Sequence, residues 1–398
     1  MPCLRDQPRL ARSERSVASF DVLIAGAGPA GCATALSLAN FAPNLRVGLV
    51  DGSAAGHARI GEAVPPPIRP VLVHLGVWDA FIAAGHCPSY RTVAAWGDSR
   101  LTSNEFVFHA QQAGWRLDRA VFDAMLVQAA TSRRAVHLRS KVVALAHHES
   151  GWRVSLSDGM AHTGRFVVDA TGRAATVARR CSLRALNFDT LVGCCLHAAS
   201  SSDGTEGLMI ETFAEGWWYT AAVPRGGRVI ACMTDADRVR PLGLSCGEGL
   251  ERLLAETKHV QQVVDISRPI DRPKIYPAGS RRLQGKTTLP LLCVGDAAMC
   301  YDPVSGQGII KSLRSGIFAA YAIGDFLGNG DVRGLSRYRL MLDREFGAYQ
   351  EALRGYYTQE RRWPNRPFWH RRTATAATSC DKTLWQKGLS TAREPQNS

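Results

Sequence analysis

The stretch from residue 20 to residue 51 constrains the fold more than any other part of this 398-residue chain. It reads FDVLIAGAGPAGCATALSLANFAPNLRVGLVD, with a short apolar run, a glycine-rich turn, an alanine-rich segment and a second apolar run. Gly26, Gly28 and Gly31 have G-x-G-x-x-G spacing, and Asp51 closes the second run. This order of strand, turn, helix, strand and acid predicts a Rossmann-like α/β unit.

The same spacing has a physical meaning for a bound dinucleotide. Gly26 permits a tight turn, Gly28 lets a pyrophosphate approach the backbone, and Gly31 lets the helix pack on the strand. Free amides at the helix N-terminus bind phosphate, and a carboxylate at Asp51 accepts hydrogen bonds from a ribose diol. Glycines also occur in ordinary turns, but the strand, the helix and the acid all agree here. We therefore predict dinucleotide binding.

Composition restricts the class of partner. The formal net charge is +13, and only 7 of the 48 basic residues are lysines, so arginine carries the excess. Such a charge fits an acidic protein or substrate, and a solvated basic surface is at least as good an explanation. The sequence contains no recognised nucleic-acid-binding module, so we expect no nucleic-acid partner.

Cysteine usage and the N-terminal residues indicate the compartment. The eleven cysteines are scattered without a C-x-x-C pair or metal-ligand spacing, which predicts reduced thiols and no metal site. Residues 1–19 are charged and polar, so we expect a disordered lead-in that is neither a signal peptide nor a membrane anchor. No apolar run has the length of a membrane span, and we expect a cytoplasmic protein.

Later segments complete the predicted fold. Asp118 precedes a segment with an apolar stripe and is expected to cap a helix. Arg119, in its first turn, opposes the helix dipole, so a bound phosphate or ribose explains it better than helix stability does, with a solvated arginine as the alternative. Residues 136–145 and 152–156 alternate like strands of a small sheet, and residues 191–264 indicate a separate antiparallel sheet.

We therefore predict an α/β fold in which a Rossmann-like domain is interrupted by an antiparallel β-sheet substrate domain, with a helical C-terminal region. The expected boundaries are residues 1–19 for the lead-in, residues 20–85, 111–175 and 287–335 for the dinucleotide domain, residues 86–110 and 176–286 for the substrate domain, and residues 336–398 for the helical region.

Four motifs carry a resemblance to a known family. GAGPAG, LDRAVFDAML, VVDATGR and GDAAMCYDPVSGQG follow one another in the chain, and in this order the sequence resembles the FAD-dependent aromatic hydroxylase superfamily. The resemblance implies FAD as the cofactor and NADH, NADPH or another reducing partner as the reductant. It implies that the ADP half of FAD is held by Gly26, Gly28, Ala30, Gly31 and Asp51, its ribose and pyrophosphate region by Arg119, the adenine edge by Val143, the ribityl chain by Asp296, and the isoalloxazine by Gly306, Gly308 and Ile309.

A narrower likeness points to the tryptophan halogenase branch and then departs from it. Residues 59–63 read RIGEA before a proline, and Gly216-Trp217 opens the box GWWYTAAVP. Halogenases of this branch carry a catalytic lysine shortly after the Gly-Glu motif, whereas the first lysine here is Lys141. The G-W-x-W-x-I-P box of these halogenases is also altered in this chain, where residues 216–224 read GWWYTAAVP. The resemblance therefore does not extend to halogenation.

The segments GWWYTAAVP, MTDAD and ERRWPNRPFW resemble flavoproteins that mature quinone-cofactor enzymes, including the partners of lysine and glycine oxidases and the monooxygenase of quinohemoprotein amine dehydrogenase biogenesis. This resemblance implies a flavin-dependent monooxygenase of the class A aromatic hydroxylase type. It would hydroxylate a tryptophan residue of a partner polypeptide with dioxygen and a reductant, in biogenesis of a tryptophylquinone cofactor. The implied partner is the small quinone-bearing subunit of an amine dehydrogenase.

Other functions stay open at this point. They are a small-molecule aromatic hydroxylase, a halogenase-like enzyme, a lipid reductase, and a flavin-bearing maturation chaperone without turnover. Three residues are candidates for a substrate pocket. Glu62 is either a base or the cap of the helix after the proline run, while Trp217 and Tyr219 either stack on a substrate or pack in the core. The arginine- and aromatic-rich residues 359–372 either grip a protein substrate or pack on the protein itself.

Overall fold

The computed structural model describes residues 18–52, 61–200, 207–224, 226–269, 272–285 and 287–378. Most of the predicted lead-in, and Arg59 and Ile60 of the Gly-Glu motif, therefore lie outside the described residues. The helices are α1 (Pro29–Phe41), α2 (Ile68–His74), α3 (Trp78–Ala83), α4 (Arg119–Ser132), α5 (Thr176–Arg180), α6 (Gly247–Leu254), α7 (Val260–Val263), α8 (Gly308–Asn329), α9 (Arg333–Tyr357) and α10 (Pro367–Thr378). The strands are β1 (Ser19–Ala25), β2 (Val47–Val50), β3 (Ala63–Val64), β4 (Cys87–Ser89), β5 (Arg91–Ala95), β6 (Thr102–Glu105), β7 (Gly114–Arg116), β8 (Val136–Leu138), β9 (Val142–His148), β10 (Gly151–Leu156), β11 (Ala161–Asp169), β12 (Arg184–Asn187), β13 (Leu191–Ser200), β14 (Leu208–Phe213), β15 (Gly216–Ala222), β16 (Arg228–Asp235), β17 (Val264–Pro269), β18 (Lys274–Pro277), β19 (Arg281–Gln284), β20 (Leu291–Cys293) and β21 (Met299–Cys300).

The chain divides into two compact units, each assembled from pieces that are distant in sequence. The predicted fold class is confirmed, because a Rossmann-like parallel sheet, antiparallel sheets and C-terminal helices are all present. Residues from Phe346 onward group with the second unit and do not form a unit of their own. The first unit is Met1–Pro88, His109–Phe188 and Gly279–Glu345, and the second is Ser89–Phe108, Asp189–Ala278 and Phe346–Ser398.

The first unit is built around a seven-stranded sheet with the order β8-β2-β1-β11-β10-β9, in which β20 also pairs with β11. The pairs β8–β2, β2–β1, β1–β11 and β11–β20 are parallel, and β10 pairs antiparallel with both of its neighbours. Leu23 and Ile24 in β1 are buried, as a strand covered on both faces requires. This arrangement brings the end of β1, the end of β11 and the end of β20 to one edge of the sheet.

The strands predicted within residues 136–145 and 152–156 are present, but they belong to the seven-stranded sheet and not to a small one. Val136 of β8 pairs with Gly48 of β2, so β8 extends the parallel part of the main sheet. Strands β9 and β10 lie at the other end of the same sheet. Periodicity predicted that these segments are strands, but it could not show which neighbour each would pair with.

The second unit contains an eight-stranded sheet with the order β17-β13-β16-β15-β14-β5-β6, in which β18 also pairs with β13. The strand pairs of this sheet are antiparallel in the described residues except β14–β5, which is parallel, with Ile210 opposite Ala94. One face covers an apolar cluster that includes Leu196, Trp218 and Ile230. The predicted antiparallel sheet in this part of the chain is therefore present.

Burial of the cysteines fits the expectation drawn from their spacing. The nine cysteines that the structure describes are free thiols, and six of them are buried. Burial raises the pKa of Cys194 to about 12, so this thiol stays neutral and behaves as a small apolar group. Across the described ranges, no helix combines the length and the apolar character that crossing a membrane requires.

Candidate functional site

The glycine turn after β1 leaves no room for side chains. Gly26 has φ +111°, and an added Cβ there would lie 2.2 Å from the Ala170 carbonyl oxygen. An added Cβ at Gly31 would lie 1.9 Å from the Gly26 carbonyl oxygen. Helix α1 begins at Pro29 with Gly28 as its N-cap, and no side chain caps it. The first-turn amides are therefore available to an anion, as the sequence predicted.

Ala30 lies where α1 meets two other segments. An added Cβ at Gly295 would be 2.7 Å from the Ala30 Cβ, and one at Gly316 of α8 would be 2.4 Å from the Ala30 carbonyl oxygen. A larger side chain at position 30 would therefore push away the turn after β20, while the small residue at Gly316 lets α8 approach the backbone of α1. Ala30 is 6% exposed, so its contribution to a site is to allow this close approach.

Asp51 stands directly after β2, and its amide donates to the Leu138 carbonyl oxygen at 2.9 Å. An added Cβ on the neighbouring Gly52 would overlap the side chain of Lys141, so Lys141 lies beside this acid. Val143, in β9, is exposed, and its carbonyl accepts a hydrogen bond from Arg180 at 3.1 Å. The first lysine of the chain is thus at the Asp51 end of the sheet edge.

Arg119 is held in place by its surroundings. Asp118 caps α4 as predicted, because its Oδ1 accepts from the amides of Ala120 and Val121 at 3.0 and 3.1 Å. The Arg119 side chain is 11% exposed, and its Nη2 lies 3.4 Å from Asp123. A solvated arginine, the alternative expectation, is therefore wrong.

Asp296 and Lys311 form a close ion pair that sequence reasoning missed. Lys311 Nζ lies 2.5 Å from Asp296 Oδ1 and donates to the Met299 carbonyl oxygen at 2.6 Å. The lysine side chain is 2% exposed, whereas that of Asp296 is 40% exposed. Lys311 also lies 5.3 Å from the centroid of the Tyr301 ring. The available signal was a lysine within the apolar residues that open α8, since such a charge needs a buried partner.

The charge of Asp296 is stabilised by its neighbours. Burial alone would raise the pKa of this carboxyl, but the charge and hydrogen bond of Lys311 outweigh burial, with further help from Arg173 and Arg119, so the pKa lies below its ordinary value. Asp296 is therefore an anion at neutral pH with one side open to a ligand.

Gly61 lies close to several predicted site residues. A Cβ added to Gly61, which has φ +110°, would lie 2.8 Å from Arg119 Nη1 and 3.7 Å from Ile309 Cδ1. Arg119 is also among the cations that act on Asp296. The structure therefore brings Gly61, Arg119, Ile309 and Asp296 into one part of the first unit.

Open space adjoins the start of α8. A Cβ added at Gly306 or at Gly308 would meet no described atom within 4 Å. Gly306 has φ +62° and ends the short turn whose start is capped by Asp302, which accepts from the Val304 amide at 2.9 Å. This space lies at the N-terminus of a 22-residue helix, where a planar group with partial negative charge would be stabilised.

Glu62 faces back toward Gly61. It is 4% exposed, and its Oε2 accepts from the Gly61 amide at 3.0 Å. The expectation that it caps the helix after the proline run is wrong, because α2 has Pro67 as its N-cap and no side-chain cap. Glu62 thus remains a buried carboxylate next to Gly61 and near Ile309.

Trp217 and Tyr219 belong to the second unit, whereas Glu62 belongs to the first. They are 1% and 8% exposed, and their ring centroids are 6.2 Å apart. Trp217 Nε1 donates to the Tyr357 hydroxyl at 3.0 Å. The structure shows the core-packing role for Trp217.

The arginine- and aromatic-rich C-terminal segment is packed on the second unit. Trp369 is fully buried and donates from Nε1 to the Phe213 carbonyl oxygen at 2.9 Å. Arg371 and Arg372 both bind Asp235, at 2.9 and 2.8 Å. Trp369 and Arg372 are therefore packed on the second unit, whereas Arg361 and Arg366 of the same segment are exposed.

Comparison with known proteins supplies the family. The profile of the family "Lycopene cyclase protein" matches residues 21–206. LodB of Marinomonas mediterranea, which is assigned as an FAD-dependent oxidoreductase, is 30% identical over 368 residues, covering 90% of this chain and 98% of LodB. The chain belongs to this family of FAD-dependent oxidoreductases. The family implies FAD as the cofactor. Two features of the structure fit FAD: the N-terminus of α1 has no side-chain cap and can bind phosphate, and the space beside Gly306 and Gly308 is open.

Two solved structures show the same fold. CmlS, a flavin-dependent halogenase, has a TM-score of 0.79 at 22% identity, covering 94% of this chain and 70% of CmlS. QhpG, a peptidyl tryptophan dihydroxylase essential for tryptophylquinone cofactor biogenesis, has a TM-score of 0.69 at 24% identity, covering 89% of this chain and 79% of QhpG. The fold is thus that of flavin-dependent halogenases and hydroxylases.

Proposed function

We propose that this protein is an FAD-dependent monooxygenase that hydroxylates a tryptophan residue of a partner polypeptide during biogenesis of a tryptophylquinone cofactor. The proposed partner is the small quinone-bearing subunit of an amine dehydrogenase. Support comes from the likeness to LodB along nearly its whole length and from the fold shared with QhpG.

One observation carries the choice of hydroxylation over halogenation, and it is the position of the lysines. The resembled halogenases use a lysine shortly after the Gly-Glu motif. Of the lysines that the structure describes in the first unit, Lys141 lies beside Gly52, and the amine of Lys311 is held by Asp296 and Met299. The amine of Lys311 is therefore occupied by its partners, and Lys141 lies at the Asp51 end of the sheet edge, so neither takes the position of the halogenase lysine after the Gly-Glu motif.

We assign the cofactor contacts from this geometry and from the resemblance. Gly26, Gly28, Ala30, Gly31 and Asp51 would hold the ADP half, Arg119 the ribose and pyrophosphate region, Val143 the adenine edge, Asp296 the ribityl chain, and Gly306, Gly308 and Ile309 the isoalloxazine. When bound, FAD supplies the activation of dioxygen with electrons from a reductant.

The protein's own residues would orient the bound cofactor and shield it from water. Lys311 keeps Asp296 ionised, so its open oxygen accepts a hydrogen bond from a cofactor hydroxyl. Amides at the start of α8 stabilise negative charge on the ring system. Ile309 and the Gly61 backbone wall the same space and exclude water. We infer that Glu62, a buried carboxylate next to Gly61, accepts a proton from the indole nitrogen of the substrate.

The test is the intact mass of a recombinant precursor of the quinone-bearing subunit after incubation with this protein, FAD, a reductant and ¹⁸O-labelled dioxygen. We expect one or two labelled oxygen atoms on a single tryptophan, located by peptide sequencing. A Glu62→Gln variant should bind FAD normally, and the precursor incubated with it should show little of the mass gain.

Each alternative function gives a different result. Binding of the precursor without oxygen consumption or mass change would point to a chaperone. Oxygen uptake that free phenols or indoles stimulate, with no labelling of the precursor, would point to a small-molecule enzyme. Either result contradicts the proposed function.

A further inference from the structure

A groove of about 560 Å³ in the first unit has no role in the site described above. We name it the arginine groove. It lies between α5, the segment that follows it, and strands β12 and β19. Its lining residues are Ala175, Arg179, Ser182, Leu183, Arg184, Ala185, Asn187, Arg281 and Leu283.

The positive charge of the arginine groove is not neutralised by the protein. Arg179 and Arg184 are exposed, and Arg281 is half-buried. Within the described ranges, none of these three guanidinium groups has a side-chain hydrogen bond or an ion pair, and no acidic residue lines the groove. The register of β12 places the Arg184 side chain on the opposite face from Ala185 and Asn187. The guanidinium groups that face the groove are therefore those of Arg179 and Arg281. Two unpaired guanidinium groups around one concavity form a site for an anion that carries several charges.

Apolar residues form part of the lining beneath these charges. The register of β12 and β19 places Ala185 opposite Leu283 and Asn187 opposite Arg281, so these four side chains share one face. Leu183 is largely buried beside them. An apolar surface with a few polar groups, at a volume within about 300–1,000 Å³, is typical of small-ligand sites.

The backbone of the groove wall is strained. In the described part of the chain, four residues other than glycine have positive φ, and two of them, Ala175 at +43° and Ser182 at +61°, line the arginine groove. Such conformations cost about 1 kcal/mol or more for residues with a Cβ and concentrate at ligand sites. This observation is independent of the charges.

A buried carboxylate fixes that wall. Asp169, at the end of β11, is fully buried and accepts from the Thr171 amide, the Thr171 hydroxyl and the Ala178 amide at 2.9, 2.6 and 2.8 Å. The turn that carries Ala175 and the helix that carries Arg179 are thereby held rigidly. A rigid wall lowers the entropy cost of binding a ligand.

The strand under the groove joins the segment that carries Asp296. Arg281 of β19 pairs with Cys300, and Arg282 pairs with Met299, whose carbonyl accepts from Lys311. A ligand in the arginine groove is therefore one strand away from the proposed flavin contacts. The chain contains a single G-x-G-x-x-G fingerprint, which the flavin would occupy, so a second dinucleotide must bind at a site of another kind.

From these observations we infer that the arginine groove binds the 2′-phosphorylated nucleotide half of a nicotinamide dinucleotide, the reductant that the proposed function requires. The guanidinium groups match phosphate oxygens in bidentate geometry, and a 2′-phosphate adds charge to that of the pyrophosphate. The nicotinamide loses a hydride, with two electrons and one proton, and is oxidised. The oxidised flavin takes up that hydride and is reduced.

The test measures binding to the FAD-loaded protein without oxygen and without any polypeptide substrate. Calorimetric titration with 2′-phospho-ADP-ribose gives the dissociation constant, and anaerobic stopped-flow reduction by NADPH gives the half-saturating concentration. We expect the Arg179→Gln/Arg281→Gln double variant to raise both at least tenfold, because each charged hydrogen bond contributes roughly a factor of ten or more. Arg344→Gln, an exposed site on α9, is the matched control and should change neither.

Equal dissociation constants for the double variant, the control and the unmodified protein would overturn the inference, provided that flavin content and absorbance are unchanged. Binding of hexaglutamate in place of the nucleotide, lost in the double variant, would overturn it in favour of an acidic polypeptide segment. A protein that binds and is reduced by NADPH through this groove but never labels the precursor contradicts only the proposed function.

Discussion

An ion pair with an almost fully buried cation is present in the described part of each unit, and the two pairs differ in the exposure of their carboxylates. In the second unit, Arg372 and Asp235 are 9% and 1% exposed, Arg371 also binds Asp235, and Arg372 lies 3.7 Å from the centroid of the Phe368 ring. In the first unit, Lys311 is 2% exposed but the carboxylate of Asp296 is 40% exposed.

The difference separates a structural pair from a binding pair. Asp235 is enclosed by its two arginines, so its oxygens have no access to a ligand. Asp296 is held from one side by Lys311 and keeps an open side. A buried pair contributes little net stability, but removing one partner is costly because the other charge is left alone. An open pair of this kind is therefore better explained by a ligand than by stability.

We call Arg372–Asp235 the closed pair and Lys311–Asp296 the open pair. The largest expected effect is the loss of stability when the closed pair is broken. Asp235→Ala leaves two guanidinium groups without their shared acceptor, and we expect a loss of about 3–5 kcal/mol in the free energy of unfolding. Urea denaturation followed by circular dichroism measures it. Asp237→Ala, which removes a 54% exposed partner of Arg371, is the control and should cost less than about 1 kcal/mol. Equal costs would erase the distinction between closed and exposed pairs.

The open pair should affect ligand binding. Lys311→Met frees the Asp296 carboxylate to move and to take up a proton, so we expect the dissociation constant for FAD to rise about 10–100-fold. Fluorescence titration of the apoprotein with FAD measures it. Arg314→Gln is the control, because Arg314 is on the same helix and pairs with Glu345 at 2.6 Å but is 48% exposed. An unchanged affinity of Lys311→Met for FAD would show that the Lys311–Asp296 pair is structural, as the Arg372–Asp235 pair is.

Comparison of the sequence-based predictions with the structure shows which features the sequence could reveal. The glycine turn and the Asp118 cap depend on neighbours within a few residues, so local sterics and hydrogen bonding predicted them. Lys311 meets Asp296, and Arg372 meets Asp235, only after distant segments pack together, and no spacing rule encodes that contact. Likewise, only the direction of the Glu62 carboxylate, toward Gly61, showed that this residue does not cap α2. Composition gave the arginine excess, but only the structure shows which arginines are paired.

A smaller effect tests whether Trp217 belongs to the structural part of the second unit. Trp217→Phe removes the hydrogen bond to Tyr357, and we expect a loss of about 0.5–1.5 kcal/mol in the free energy of unfolding with FAD affinity unchanged. Tyr357→Phe should cost a similar amount. The double variant should cost less than the sum, because both changes remove the same bond. Full additivity would show that this hydrogen bond contributes nothing.

The smallest expected effect is the pH dependence of the open pair. The pKa of Asp296 is lowered in the folded protein, so its stabilisation is complete above the unfolded value of about 3.9 and is lost as the pH falls through the lowered value. The difference in unfolding free energy between the unmodified protein and Asp296→Asn should therefore be constant from pH 7 to about 4 and shrink below it. A difference that grows as the pH falls would contradict the ion pair.

The parallel pairing of β5 with β14 sets an order for biosynthesis. Ala94 leaves the ribosome before its partner Ile210 has been synthesised. The Gly97 amide donates to Glu360 at 3.0 Å, and this acceptor is synthesised later still. Until then the hairpin of β5 and β6 carries an unpaired edge, which is prone to aggregation. The second unit is thus completed only after residue 360 has been translated, so termination of synthesis before that residue yields a product for quality-control proteases.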